Sequence, residues 1–269
     1  MSSLCQLWIR SGNAWLASVS VQPFEDDDPS VLCIFLHGWS SWKDELDYVH
    51  VRLARQFADK ALVTSLLFDY QGHGESTGEL QDVTFGMMVS DVEAVLSWAN
   101  TRWPQAHPYI VAHGLGARIA LYIGQRKAFS GLILLSPALE VPRILLEAQP
   151  YYQQAWGTTS PEPWKDALAH LGAQTFDPGG EIINASFFSD PLLQKPTAAL
   201  MENWCCPIIV FYDPDARHTD AMLIQHNQNV SMLPITGGGP MFRHPMLVDS
   251  ISNQIMAWIN SREQQESEV

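Results

Sequence analysis

The sequence predicts an α/β protein with a mostly parallel, twisted sheet and helices on both of its faces. Short continuous apolar runs, Val31–Leu36 and Gly131–Leu135 among them, have the character of strands covered on both sides. Segments with apolar residues at helical spacing separate them, so strand and helix alternate. At Tyr109–Ala120 an apolar run ends in a tight small-residue turn, Ala112-His113-Gly114-Leu115-Gly116, that leads straight into a helical pattern through Leu121, Tyr122 and Gln125. The 269 residues, 46% of them hydrophobic, suffice for one large core, and one domain with an inserted subdomain fits better than two domains.

Taken in order, Cys5–Arg10 and Ala14–Val21 read as an opening hairpin hinged at Ser11-Gly12-Asn13. The acidic loop from Glu25 to Pro29 leads into the strand Val31–Leu36 and then into His37-Gly38-Trp39. A helix is predicted from about Asp44 to Phe57, with Leu46, Val49, Leu53 and Phe57 on one face. Leu62–Asp69 is the next strand, and Thr84–Trp98 a helix with Met88, Val92, Val95 and Leu96 inward. Gly131–Leu135 follows the turn at Gly114 and is closed by Ser136-Pro137.

From Pro137 to Trp204 the pattern changes. Prolines and aromatics thicken (Pro142, Pro150, Tyr151, Trp156, Trp164), with amphipathic pieces near 143–149 and 165–171. The aromatics suit a pocket lining and a small packed subdomain equally. Pro207–Tyr212 returns to the sheet, Asn229–Ile235 is the last strand, and a helix Leu247–Ile259 closes the chain. The core thus spans 1–136 and 205–263, the insertion 137–204, and 264–269 is a flexible tail, with the polar stretch from Ser261 frayed.

Asp69-Tyr70-Gln71-Gly72-His73-Gly74-Glu75-Ser76 matches a DxxGHGxS signature, and with Gly78, Asp82 and Thr84 it resembles the α/β-hydrolase branch of serine aminopeptidases and cinnamoyl or feruloyl esterases. The resemblance runs from about Val31 to Ile259. It implies an α/β-hydrolase fold with a small helical cap inserted after the sixth strand. In that superfamily a GxSxG elbow carries the nucleophile at its strained apex, and an HG pair after the third strand shapes the oxyanion loop. Here the elbow apex is Gly114, which has no atom to attack with. The resemblance places oxyanion donors on the N–H groups of Trp39 and Leu115, with His113 beside the apex. It places the triad acid at Asp215, with Asp213 as fallback, and the triad histidine at Pro240, which carries no proton. His244 and His218 are the nearest imidazoles. His73 and Ser76 read as loop supports, and Cys33 as a small buried thiol inside a strand.

Two of three triad positions are thus replaced. The leading expectation is a pocket that binds a small molecule through a carbonyl or carboxylate, with Asp215 or His244 available for a non-hydrolytic proton transfer such as isomerisation, epimerisation, elimination or cyclisation. A pure ligand-binding pseudoenzyme stays open. So does a serine esterase, thioesterase or peptidase, if Gly114 is not the native residue or a displaced serine acts. No cofactor or metal is expected, since Cys5, Cys33, Cys205 and Cys206 have no metal-ligand spacing. A net charge of −14 argues against nucleic acid and anionic membranes as partners. Without a basic region and apolar stretch at its start or an apolar run near the roughly 20 residues a span needs, the chain is expected to be cytoplasmic.

Overall fold

A computed structural model describes residues 2–24, 28–39, 41–61, 63–126, 129–140, 174–176, 182–184, 187–188, 190–215, 220–239, 242 and 244–267. Eight strands form one sheet: β1 (Ser2–Ser11), β2 (Ala14–Pro23), β3 (Val31–Leu36), β4 (Thr64–Phe68), β5 (His107–His113), β6 (Gly131–Leu135), β9 (Ile208–Tyr212) and β10 (Val230–Pro234). Their spatial order is β1-β2-β4-β3-β5-β6-β9-β10. The opening hairpin pairs antiparallel, β2 pairs antiparallel with β4, and all later pairings are parallel.

Because side chains alternate across a strand, each central strand feeds two cores. Leu32, Ile34 and Leu36 of β3 join Ile110 and Ala112 of β5 on one face, under the helices α2 (Phe85–Arg102) and α3 (Leu115–Gly124). Val31, Cys33, Phe35, Tyr109 and Val111 fill the other face, under α1 (Val49–Ala61) and the C-terminal helix, which is numbered α5 below. Thr84 caps α2 by accepting the N–H of Met87 at 3.1 Å.

The described part of the insertion holds a two-stranded antiparallel ribbon, β7 (Gln174–Phe176) and β8 (Ile182–Asn184), and a short helix α4 (Thr197–Leu200). The amphipathic pieces at 143–149 and 165–171 and the aromatics from Tyr151 to Trp164 lie outside the described residues.

Two expectations change. The helix predicted from Asp44 begins only at Val49, because Glu45, Asp47 and Tyr48 take left-handed backbone and break it. The C-terminal helix α5 (Pro245–Ser267) runs beyond the predicted end at Ile259. Glu263 explains this, since one of its oxygens lies 2.8 Å from Nδ1 of His107 and the other accepts the Tyr109 hydroxyl at 2.7 Å.

Candidate active site

The turn after β5 has the backbone of a nucleophile elbow. Gly114 sits at φ 50°, ψ −120° and heads α3, in a region that glycine enters without the steric cost a side chain meets. Its N–H donates to Leu135 O at 3.2 Å, and its carbonyl accepts the N–H of Ala117 at 3.2 Å and of Ala138 at 3.0 Å. A Cβ built on Gly114 meets only Gly38 Cα, at 3.6 Å, among the described residues. Space for a small side chain exists at the apex, and the sequence leaves it empty.

Gly38 belongs to the turn that follows β3. The His37 ring is fully buried, which lowers its pKa to about 3 and keeps it neutral. Its Nε2 accepts the Tyr70 N–H at 3.4 Å, so Nδ1 carries the proton and donates to Gly38 O at 2.9 Å. The Gly38 N–H in turn donates to Glu45 Oε2 at 2.6 Å. The next N–H, that of Trp39, and the N–H of Leu115 at the first position of α3 have no acceptor among the described residues. A helix N-terminus next to a pinned turn favours an oxyanion or a polarised carbonyl.

Aromatic rings wall this turn. The Trp39 indole lies 4.2 Å from the Phe187 ring and 5.6 Å from Phe188, both between β8 and α4, and 6.5 Å from His73. Asp190 fastens that segment by accepting the Gly86 N–H of α2 at 3.2 Å and the Leu192 N–H at 2.9 Å.

Beneath the elbow lies a carboxylate that reading the sequence did not single out. Glu45 is 2% exposed. Its Oε1 accepts the Ser41 hydroxyl at 2.5 Å and the Leu46 N–H at 3.2 Å, and its Oε2 stands 3.3 Å from Nδ1 of His113. Burial pushes the Glu45 carboxyl up, but the His113 ring and its hydrogen bond hold the carboxyl well below its ordinary value. His50, also fully buried, is pushed down to about 4 by desolvation. An acid seven residues after the HG pair was the signal available, but its burial depends on a loop closing over it.

On the closing side, the structure turns Asp213 rather than Asp215 toward the loop after β10. Asp213 is 6% exposed, and it accepts the N–H of Gly239 at 2.7 Å and of Asp215 at 2.9 Å. Asp215 itself is exposed. His244 is exposed and caps α5: its Nδ1 accepts the Met246 N–H at 3.3 Å. Pro240 and His218 lie outside the described residues.

The DxxGHGxS block works as a brace. Asp69 accepts the Lys43 N–H at 2.6 Å and the Glu75 N–H at 3.0 Å and pairs with Lys43 Nζ at 2.8 Å, while Ser76 Oγ donates to Asp69 O at 2.7 Å and accepts the Ala17 N–H at 2.9 Å. His73 is buried, with Nδ1 3.0 Å from Gln71 O. Cys33 is buried, and desolvation pushes its thiol far up, which removes the thiolate. Among the described residues no group of three or more His, Cys, Asp or Glu side chains is placed to hold a metal ion, and no helix is long and apolar enough to cross a membrane.

The chain superposes on Est1E from Butyrivibrio proteoclasticus, a structure with ferulic acid bound, at a TM-score of 0.76 and 17% identity, covering 94% of this chain and 99% of that one. The esterase Pf2001 of Pyrococcus furiosus gives a TM-score of 0.68 at 15% identity over 97% of this chain and 91% of its own. Alpha/beta hydrolase domain-containing protein 10 from mouse gives 0.63 at 18% identity, over 96% and 99%. No curated protein matches the chain in sequence. The profile of the family described as "Serine aminopeptidase, S33" matches residues 27–190, more than half of the chain. With its eight-stranded sheet and the elbow at Gly114, the chain therefore belongs to this family of α/β-hydrolases.

Proposed function

We propose that this protein binds a small molecule through a carbonyl or carboxylate oxygen at the Trp39 and Leu115 N–H groups and forms no acyl-enzyme. The observation that carries the reading is Gly114: the apex keeps the left-handed elbow backbone and room for a side chain, yet presents no nucleophile. Removal of a triad nucleophile leaves only the acceleration that binding and the oxyanion donors supply. The indole of Trp39 with Phe187 and Phe188 suits an aromatic or extended apolar group next to that oxygen. Est1E has ferulic acid bound, so ferulate is the natural first probe.

The test pairs binding with restored chemistry. Calorimetry should show ferulate binding to the native protein, and an aryl ester should be hydrolysed only by the double variant Gly114→Ser/Pro240→His. Hydrolysis by the native protein, with a fluorophosphonate label on any serine, would sink the reading.

A proton-transfer enzyme is the second reading, and the buried Asp213 carboxylate at the closing loop favours it. Asp213→Asn should then abolish turnover of the true substrate while leaving its affinity within a few fold.

A further inference from the structure

We infer that Glu45 is the positioning residue that holds the two donor segments in register with one another, an inference that rests on the ligand reading above. One carboxylate touches both segments. Oε2 accepts the N–H of Gly38, the residue before Trp39, and lies 3.3 Å from His113, the residue before Gly114 and two before Leu115. A Cβ built on Gly38 would lie 3.4 Å from Glu45 Oε2 and 3.4 Å from His113 Nδ1, so all three residues are packed together.

The local chain bends to deliver this carboxylate. Glu45 has φ 60°, ψ 164°, and Asp47 and Tyr48 are left-handed at 57° and 59°. Side-chain-bearing residues take such backbone only where the surroundings over-determine it. Here the surroundings are the carboxylate's own bonds to Ser41, Leu46 and Gly38. An ordinary helix cap needs only a short exposed acceptor, whereas Glu45 reaches seven residues back from the interior. A charged acceptor makes the shorter, stronger bonds that fix a turn.

The experiment compares the native protein with Glu45→Gln, Glu45→Ala and Glu45→Asp, reading amide exchange at Gly38 by NMR and ferulate affinity by calorimetry. Loss of a hydrogen bond to a charged acceptor should accelerate Gly38 exchange about 10-fold or more in the Ala and Asp variants, with β5 amides still protected. Gln keeps one oxygen for the Gly38 N–H but loses the charge and turns an NH2 toward Ser41 and the Leu46 N–H, so its exchange should fall between native and Ala. Ferulate affinity should follow the same order. If the Ala variant does not fold, the Asp and Gln variants decide the matter between them. Equal Gly38 exchange in all folded variants overturns the inference, as does faster exchange with unchanged ferulate affinity. Faster exchange with no ferulate binding by the native protein supports the role of Glu45 and removes the ligand reading instead.

Discussion

A methyl group on Gly116 would lie 2.4 Å from the carbonyl oxygen of Leu36, which shows how closely α3 is drawn against the end of β3. That approach is what brings the apex at Gly114 beside the Gly38 turn. Alanine at 116 should therefore cost about 3 kcal/mol through overpacking. Alanine at 114 meets only an ordinary contact and should cost about 1 kcal/mol, the price of left-handed backbone. Chemical denaturation of the two variants checks the order, and a Gly116→Ala protein as stable as native would contradict this packing.

Asp213 and Asp215 should behave differently on substitution. Asn at 213 replaces a carboxylate that accepts two backbone N–H groups and should cost about 1 to 2 kcal/mol and loosen the loop at Gly239. Asn at the exposed 215 should change stability by less than about 0.5 kcal/mol. Thermal melts and amide exchange at Gly239 measure both, and the reverse order would restore Asp215 as the inward acid.

Arg118, one turn into α3, staples the two ends of the insertion. Its buried guanidinium donates to Leu139 O at 3.0 Å, to Leu193 O at 2.8 Å and to Lys195 O, and Asp220 accepts the neighbouring N–H groups of Leu139 and Glu140 at 2.6 and 2.9 Å. Arg118→Met removes these donors and leaves buried carbonyls unpaired, at a cost on the order of 3 kcal/mol. Limited proteolysis between 137 and 204 should accelerate in the same variant. Unchanged cleavage would show that Arg118 does not hold the insertion.

Stability should fall on acidification. His37 and His50 are neutral in the fold, with pKa lowered from 6.5 to about 3 and about 4. The unfolded chain takes up their protons below about pH 6.5 and the folded chain does not, so stability is full above that pH and is lost as pH falls toward 4. Each histidine contributes a loss of up to about 1.4 kcal/mol per pH unit. Glu45, held below its ordinary 4.5, adds a further loss below that value. Urea midpoints at pH 7.5, 6 and 5 test this, and His50→Gln should flatten the dependence.

Much of the sheet is readable from local pattern, because a strand covered on both faces must be apolar throughout, as Val31–Leu36 and Gly131–Leu135 are. Thr64–Phe68 and Ile208–Tyr212 fall inside their predicted ranges for the same reason. The start of α1 was not readable. Asp44 to Phe57 has helical spacing, yet Glu45 is claimed by groups distant along the chain or across the loop, and those bonds override local propensity. The end of α5 is similar, since Glu263 is polar in sequence and becomes fixed only because β5 lies beneath it.

By itself, the sequence determined that the chain is a parallel-sheet protein with glycine at the apex of the turn after its fifth strand, since side-chain identity and short-range periodicity are local properties. The tertiary structure decided which groups surround that elbow. It set Asp213 against the closing loop, placed His244 at a helix cap, and buried Glu45 against the Gly38 turn. Such assignments depend on distances between segments far apart in the chain, where burial and long-range hydrogen bonds outweigh local preference.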